Sequence, residues 1–314
     1  LQRRRQSAHD VGKPAGLAYC DINEKKLLID PASGDIVVCD NDNVVVNNAD
    51  VQVKGVWEFM APEVALGNSH PNAESDKYSA AVLLYYLWMW EHPMEGKKTM
   101  NIHSWDIPAK KKMFHSEPVF VFNPDDRSND AEGIPELQTS VKRWERMCPT
   151  SLKALFTEIF TSGVPACDKR VQLIDWQRYF LELNANSHVC PNCGSINIWD
   201  GIADDVVCFN CQFSNPIIQS LDIEHGYGNN TRLMVKPGIK VRKHHLDITK
   251  FSDSPTEAVG EFEPHPKDSR ASILRNTSSR KWMYRKPDGE TVEMESGVAR
   301  PVLPNACFII DGVE

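Results

Sequence analysis

Alternating apolar and polar positions near the start of the chain predict an extended region. Residues 27–30, a Pro-Ala-Ser-Gly turn and residues 36–39 have the period-two pattern of a β-hairpin. The polar run 41–50 that follows favours a loop. Farther on, residues 78–90 are apolar on nearly every side, which predicts a helix buried in the centre of a domain, with the Ser-Asp pair at 75–76 as its cap.

Helical periodicity returns in the second half of the chain. Residues 150–161 and 171–184 place their apolar side chains on one face, which predicts two amphipathic helices. The stretch 97–140 is rich in turn residues and indicates loops, interrupted by an extended segment at 118–124. After residue 216, short β-branched runs separated by Pro, Gly and Asn predict a small β domain.

Composition describes a globular protein that can bury a core. The chain has 314 residues, of which 41% are hydrophobic, enough for two or three domains. Its longest apolar run, 80–90, is too short to cross a bilayer and no secretory signal opens the sequence, so we expect a cytoplasmic protein. Nine scattered cysteines favour a reducing compartment over a disulfide framework. A formal charge of −8 gives no electrostatic reason to expect nucleic acid as the main partner.

Four of the nine cysteines form two metal-type pairs. Cys190 and Cys193 are separated by two residues, as are Cys208 and Cys211, and fourteen residues lie between the pairs. Each pair fits a tight turn that presents two thiolates to one side of a metal, and two such turns complete the tetrahedron that Zn²⁺ favours. Four sulfur ligands leave no coordination position for water, so the predicted zinc site is structural.

The residues between the two cysteine pairs predict a zinc ribbon. The apolar stretches 196–199 and 206–209 are expected to pair with each other as a short hairpin. The alternative is that the two cysteine pairs are a coincidence in a reduced protein and hold no ligand.

The first 184 residues resemble the large lobe of a protein kinase. Asp21, in Leu-Ala-Tyr-Cys-Asp, stands where that family has its catalytic-loop aspartate, and Asp40 stands where it has its metal-binding aspartate. The resemblance implies that Asp21 accepts or orients the substrate hydroxyl and that Asp40 holds Mg²⁺ against the phosphates of ATP. Without the resemblance, each aspartate is an ordinary turn or cap residue after an apolar strand.

Further kinase-like motifs follow in the family's order. Glu63, in Phe-Met-Ala-Pro-Glu, matches the end of the family's activation segment, and residues 92–96 (His-Pro-Met-Glu-Gly) match its turn after the buried helix. Asp76 matches the aspartate that anchors the catalytic loop from below. Arg170 stands where the family has an arginine, shortly before its last helix, that pairs with the glutamate at the end of the activation segment, here Glu63. The resemblance implies structural roles for Glu63, Asp76 and Arg170.

A closer resemblance is to bacterial kinases of tellurite-resistance-type operons, the TerY phosphorylation triad. It is carried by Asp-Asn-Asp at 40–42 in place of Asp-Phe-Gly, by the insertion-like stretch 118–129, and by a zinc ribbon and a β domain after the lobe. The last domain of that group is forkhead-associated-like, and residues 273–278 and 300–312 are similar to its later strands. The arginine and serine that grip a phosphopeptide have no identifiable counterpart. The group implies a von Willebrand factor A-type protein and a PPM-type phosphatase as protein partners.

Two departures from the kinase pattern concern activity. Lys26 stands where the family has a metal-binding asparagine, and a charged lysine has no lone pair for Mg²⁺. Asn23 lies nearby as an alternative catalytic-loop ligand. The sequence also opens near the helix before the catalytic loop, without a small lobe. We weigh three explanations for this: a fragment, a small lobe that the sequence at hand leaves out, or a natural truncation.

The sequence therefore predicts a multidomain α+β protein. We expect a mainly helical kinase-like large lobe at 1–185, a zinc ribbon at 186–215 and a small all-β, forkhead-associated-like sandwich at 216–314. The expected function is serine/threonine-type phosphoryl transfer to protein, dependent on ATP and Mg²⁺, in the intact form, with this chain inactive alone. The alternative is a pseudokinase or scaffold that binds partner proteins. Nucleic-acid binding through the ribbon is a third hypothesis, disfavoured by the acidic charge.

Overall fold

The computed structural model describes residues 16–30, 32, 34–39, 41–49, 55–201, 205–216, 219–224, 231–246 and 257–310. The chain divides into two units, residues 1–176 and 177–314. Both combine short strands with helices, in agreement with the expected α+β class. The assignment of three domains with the boundaries given above stays a prediction.

The described helices are α1 (Pro62–Ala65), α2 (Ala73–Met89), α3 (Ile107–Lys111), α4 (Gln138–Arg146), α5 (Thr150–Phe160), α6 (Leu173–Ala185) and α7 (Lys243–Leu246). The described strands of the first unit are β1 (Leu17–Ala18), β2 (Leu27–Ile29), β3 (Ile36–Val38) and β4 (Val45–Val46). Those of the second unit are β5 (Ser187–Val189), β6 (Ile196–Ile198), β7 (Asp205–Val207), β8 (Ser214–Pro216), β9 (Ser220–Ile223), β10 (Thr231–Met234), β11 (Lys240–Arg242), β12 (Ala258–His265), β13 (Asp268–Asn276), β14 (Trp282–Arg285), β15 (Thr291–Met294), β16 (Ala299–Pro301) and β17 (Cys307–Ile309).

Two small antiparallel sheets begin the first unit. Strands β2 and β3 form the predicted hairpin, with Leu27 opposite Val38. Strand β4 pairs with β1, so Leu17 lies opposite Val46. The expectation of a loop throughout 41–50 is therefore wrong at Val45–Val46, where local polarity gave no sign of a partner strand far away in the sequence.

Helix α2 is the central element of the first unit. The ring of Tyr85, which is fully buried, packs edge-on against Phe120, Phe156 and Phe160 at centroid distances of 5.8, 5.1 and 5.6 Å. The predicted buried helix is confirmed, although its end is exposed at Trp90. Such edge-to-face contacts add to the stabilisation from apolar burial alone.

The start of helix α2 differs from the prediction. The side chain of Asn72 accepts hydrogen bonds from the backbone N–H groups of Glu74 and Ser75, and the Ser75 hydroxyl group completes a capping box. The proposed cap at 75–76 is wrong, because these residues lie inside the first turn. This arrangement leaves the carboxylate of Asp76 available for a contact elsewhere.

The region 97–140 is anchored by one buried side chain. The amide of Asn129, which is 1% exposed, donates to the carbonyl groups of Met94 and Val119. The approach is so close that a Cβ atom on Gly96 would lie 1.8 Å from the carbonyl oxygen of Asn129. Only glycine fits there without a shift of the backbone.

Two sequence expectations for this region need correction. The segment 118–124 is not extended throughout, because it turns at 121–122, where the N–H of Asn123 donates to the carbonyl group of Phe120. Its Phe120 side chain is buried, and Phe122 stacks on Trp144 at 4.5 Å. Helix α4, which carries Trp144, begins inside the expected loop region and was missed. Helices α5 and α6 confirm the two predicted amphipathic helices to within about two residues at each end.

Two antiparallel sheets build the β-rich part of the second unit. One has the strand order β11-β12-β13-β16 and the other β15-β14-β17. Phe262 and Leu274 from the first sheet and Trp282 and Phe308 from the second belong to one buried core. Trp282 packs so closely that a Cβ atom on Gly260 would lie 2.7 Å from it. Two sheets that share a core form a sandwich-like arrangement; its forkhead-associated-like identity stays a prediction.

Candidate functional site

Asp76 fixes the backbone immediately before Asp21. Its Oδ2 accepts the N–H of Tyr19 at 2.5 Å, and its Oδ1 accepts the N–H of Cys20 at 3.1 Å. Burial raises the pKa of Asp76, and the two N–H groups oppose that rise. Cys20 has φ +68°, a left-handed conformation that non-glycine residues seldom adopt. The contacts of Asp76 therefore hold a strained turn between β1 and Asp21.

Gly55 closes over this turn from the other side. A Cβ atom on Gly55, which has φ +84°, would lie 2.7 Å from the carbonyl oxygen of Cys20 and 3.4 Å from Asp21 Oδ1. A larger residue at 55 would therefore push the segment that leads to Glu63 away from Asp21.

The structure brings Asp21, Asn23 and Lys26 together. The Asn23 amide donates to Asp21 Oδ1 at 2.8 Å, and Lys26 Nζ lies 3.3 Å from Asp21 Oδ2. Asn43, which the sequence reasoning missed, donates its amide to the same Oδ2 at 3.3 Å. The side chains of Lys26 and Asp21 are only 16% and 11% exposed. The Asp21 carboxylate is thus surrounded by one cation and two amide donors.

These residues do not by themselves fit Mg²⁺. The Lys26 ammonium group lies where a cation would approach the Asp21 carboxylate. The amide oxygen of Asn23 accepts the N–H of Lys25 at 3.0 Å, which caps the short 3-10 turn of Glu24–Lys26. Asp40 lies outside the described residues. A metal site made only of the described donors would need Lys26 to leave, because an ammonium group donates and cannot coordinate.

Glu63 and Arg170 form a bidentate ion pair across 107 positions of sequence. The distances are 2.7 Å from Nη1 to Oε1 and 2.9 Å from Nη2 to Oε2. Arg170 also donates to the carbonyl groups of Glu74 and Gly163, and its side chain is fully buried. Burial alone raises the pKa of Glu63, but the hydrogen bond and charge of Arg170 outweigh it and leave the pKa below its usual value. The pair joins helix α1 to the segment before α6.

The four predicted metal ligands of the second unit lie together. The sulfur atoms of Cys190, Cys193, Cys208 and Cys211 are all within 4.8 Å of one another. Cys190 Sγ is 3.7 Å from Cys211 Sγ, and Cys193 Sγ is 3.6 Å from Cys208 Sγ. Four sulfurs at about 2.3 Å from one Zn²⁺ in a tetrahedron are about 3.8 Å apart. The donor set therefore fits one zinc ion with four thiolate ligands.

The strands around this cluster pair differently from the expectation. Strand β6 pairs with β5 and strand β7 pairs with β8, so the predicted hairpin between 196–199 and 206–209 is wrong. Each cysteine pair lies in the turn of its own hairpin, where a tight turn brings the two flanking strands into register. The segment therefore consists of two small hairpins, β5–β6 and β7–β8, whose cysteine-containing turns lie close together.

Asn197 forms hydrogen bonds with the cysteine cluster and with the backbone next to it. It is 4% exposed, its amide donates to Cys208 Sγ at 3.6 Å, and its oxygen accepts the N–H of Phe209 at 3.0 Å. Hydrogen bonds of this kind orient metal ligands and tune their charge. The sequence analysis did not identify Asn197. The one available signal was its position between the two cysteine pairs.

Comparisons with known proteins found only a distant structural similarity. No protein-family model matches the chain, and no curated protein matches it. One solved structure to which it is similar is the Cydia pomonella granulovirus kinase, PK-1, with 16% sequence identity and a TM-score of 0.27. The likeness covers 33% of this chain and 36% of the viral kinase, so the chain spans about a third of that protein. No helix among the described residues is long and apolar enough to cross a membrane.

Proposed function

We propose that the first unit is a protein-kinase-like large lobe and that the intact protein transfers phosphate from ATP to protein hydroxyl groups at Asp21. The observation that carries this proposal is the double hydrogen bond from the backbone of Tyr19 and Cys20 to Asp76. It ties the turn before Asp21 to the first turn of a buried helix, as the resemblance to kinases implies for an anchoring aspartate.

The Glu63–Arg170 pair supports the same proposal independently. Both residues belong to motifs in the order that the kinase resemblance requires, and they meet in a buried bidentate contact. Two unrelated residues rarely form such a contact by chance, because a buried charge needs a partner with matching geometry.

The residues around Asp21 suit the orientation of a hydroxyl group. A carboxylate offers about four acceptor positions, and Asn23, Asn43 and Lys26 occupy three of them. With respect to the residues that the structure describes, one position remains for the hydroxyl of a protein substrate. MgATP would supply the phosphoryl group. The contacts around Asp21 support a role in orienting the acceptor hydroxyl, with the positive charge of Lys26 beside it.

Phosphate transfer tests the proposal. The intact protein is incubated with ATP labelled at the γ-phosphate, in Mg²⁺, and incorporation into itself and into casein is counted. The variant Asp21→Asn should reduce transfer by about a hundredfold or more. The control Asp35→Asn, at an exposed position in the turn between β2 and β3, should leave it unchanged. Equal transfer by wild type and Asp21→Asn contradicts the proposal.

A second candidate function is that of a pseudokinase scaffold. The contact between Lys26 and Asp21 favours it, because the lysine takes the place of a metal ligand. A scaffold transfers no phosphate, yet retains its partners, so Mg²⁺-dependent ATP binding together with turnover would contradict this alternative. The resemblance to the TerY group makes a von Willebrand factor A-type protein and a PPM-type phosphatase the first partners to test by co-purification.

For the second unit we propose one structural zinc ion and a forkhead-associated-like β domain. The sulfur–sulfur distances of 3.6 and 3.7 Å support the zinc ion. The stretches similar to forkhead-associated strands coincide with β13, β16 and β17, which supports the second part.

A further inference from the structure

The two cysteine hairpins of the second unit repeat one short motif. Cysteine, asparagine, cysteine and asparagine recur with the same spacing at 190–197 and at 208–215. The backbone repeats as well, because in both hairpins the N–H of the first cysteine donates at 2.8 Å to the carbonyl group of the residue five positions later. Since the two hairpins are built alike, a difference between equivalent side chains indicates a different role.

The last asparagine of the motif is where the hairpins differ. Asn215 is 7% exposed, and its amide donates to two backbone carbonyl groups of its own hairpin, both at 3.2 Å. Its equivalent, Asn197, is 4% exposed and reaches the other hairpin instead. There its amide donates to Cys208 Sγ at 3.6 Å, and its oxygen accepts the N–H of Phe209 at 3.0 Å. The repeat is therefore broken at the contact between a side chain and a metal-type sulfur.

The contacts of Asn197 link the two hairpins in a buried position. Its amide also donates to the carbonyl group of Ser195 at 3.0 Å, so the side chain spans its own hairpin and the opposite one. Another side-chain bond between the hairpins runs from the amide of Asn210 to Ser195 Oγ at 3.2 Å, but Asn210 is exposed. Water competes with an exposed hydrogen bond, whereas the loss of a buried one leaves its partners unsatisfied. Asn197 is thus the more costly of the two links to remove.

We propose that Asn197 is a positioning residue that joins the two cysteine hairpins and holds the Cys208 sulfur in place as a zinc ligand. An N–H group that donates to a thiolate stabilises its negative charge. The bond to Phe209 fixes the backbone next to the same sulfur. The inference rests on the structural zinc ion proposed above, and it assigns part of the retention of the metal to a residue outside the four ligands.

The zinc affinity of the full chain tests the proposal. Competition with a chromophoric chelator measures this affinity for the wild type and for variants of both asparagines. Asn197→Ala should weaken zinc binding by about tenfold or more. Asn197→Asp should weaken it as well, because the carboxylate keeps an acceptor for the N–H of Phe209 but offers the sulfur no donor. The matched controls Asn215→Ala and Asn215→Asp remove the equivalent amide from the other hairpin and should weaken zinc binding less.

Spectroscopy of substituted metals separates a positioning role from a general loss of folding. With Co²⁺ in place of zinc, the d–d absorption reports the geometry of the four sulfur ligands. It should change in Asn197→Asp and stay as in the wild type in Asn215→Asp. A measurement that needs no variant uses a spin-active isotope of Cd²⁺ in the wild-type chain. The metal nucleus should show a scalar coupling to a side-chain amide proton of Asn197, transmitted through the Cys208 sulfur, and none to the side chain of Asn215.

Three results overturn the role of Asn197 and leave the zinc proposal intact. The first is a wild-type affinity in Asn197→Asp, because the residue then acts only through the backbone of Phe209. The second is equal weakening by the Asn215 controls, and the third is a cadmium coupling to the side chain of Asn215 in place of Asn197. A wild-type chain that binds no zinc overturns both proposals, since the four cysteines then hold no metal.

Discussion

Lys26 and Asp21 form an ion pair in the turn that follows β1. The 3.3 Å contact is largely shielded from water, with 16% and 11% of the two side chains exposed. A shielded pair interacts more strongly than one on the surface, but each charge also loses hydration. Lys26 therefore neutralises Asp21. It does so from the position at which the kinase resemblance implies a metal-binding asparagine.

Replacement of Lys26 by asparagine should create a response to Mg²⁺. The variant removes the ammonium group and adds an amide oxygen near the Asp21 carboxylate, so the site gains the ligand type that Mg²⁺ accepts. At about ten times its Kd, the ion should stabilise the variant by about 1.4 kcal/mol, a rise of about 2–4 °C in Tm. The measurement is thermal unfolding with and without MgCl₂.

The matched control for this experiment is Lys25→Asn. Lys25 is exposed and neighbours Lys26, so the change in charge is the same. Wild type and Lys25→Asn should show no rise in Tm with Mg²⁺. An equal rise in all three proteins would mean that Mg²⁺ binds elsewhere and that Lys26 does not block a metal position.

Loss of the Glu63 charge should destabilise the first unit in a pH-dependent way. Glu63→Gln leaves the buried Arg170 guanidinium without its counter-ion and should lower the free energy of unfolding by about 3 kcal/mol at pH 7. The pKa of Glu63 is lowered in the folded protein, so its stabilising contribution is present above the ordinary pKa of 4.5 and is lost as the pH falls through the folded value. Urea unfolding at several pH values measures the difference.

The control is Glu132→Gln, which removes one of the two acidic partners of Arg127, in an exposed ion pair. Exposed pairs contribute about 0–1 kcal/mol, so this variant should unfold almost as wild type does. A difference between wild type and Glu63→Gln that stays constant down to pH 3 would contradict the lowered pKa.

Local patterns in the sequence predicted the elements that depend on neighbouring residues. The spacing within each cysteine pair fixes a tight turn whatever surrounds it, so the four cysteines that the structure brings together could be named in advance. The β2–β3 hairpin and helices α5 and α6 also follow from period and turn residues. The pairing of β5 with β6 could have been found as well, since a cysteine turn is itself a hairpin turn.

Contacts between distant segments could not be predicted in the same way. The amide of Asn43 reaches Asp21 only because the chain returns along β1 through the β1–β4 pairing. Phe120 resembles a strand residue in the sequence, but the aromatic core around Tyr85 decides its place. The cap at Asn72 was detectable, because Asn followed three residues later by Ser75 can satisfy both helix-start donors.

Acid should destabilise the first unit through a buried histidine. Burial lowers the pKa of His115 to about 4, so the folded protein keeps this ring neutral while the unfolded chain takes up a proton below about pH 6.5. Its stabilising contribution is therefore complete above pH 6.5 and is lost progressively as the pH falls towards 4. Linkage limits the slope to about 1.4 kcal/mol per pH unit for this group.

The variant His115→Phe should reduce that pH dependence without abolishing it, because burial also lowers the pKa of His92 to about 4. Phenylalanine has no proton to bind and suits a buried position whose ring neighbours are Trp57 and Phe114. The exposed His103→Gln is the control and should keep the wild-type slope. Urea unfolding between pH 4 and 7 gives both slopes; equal slopes for wild type and His115→Phe would show that the ring is protonated alike in both states.

Removal of one cysteine of the cluster should abolish zinc binding and loosen the ribbon. Cys208 is fully buried and its sulfur lies 3.6 Å from Cys193 Sγ, so Cys208→Ser takes away one of four ligands at the centre of the site. Elemental analysis should give about one zinc per wild-type chain and almost none for the variant. Amide hydrogen exchange at 187–198 and 205–216 should become faster, while the exchange of α2 stays as it was. Cys307→Ser, at a cysteine outside the cluster, should retain the metal. Equimolar zinc in Cys208→Ser would rule out a four-thiolate site, because the remaining three sulfurs alone would then suffice.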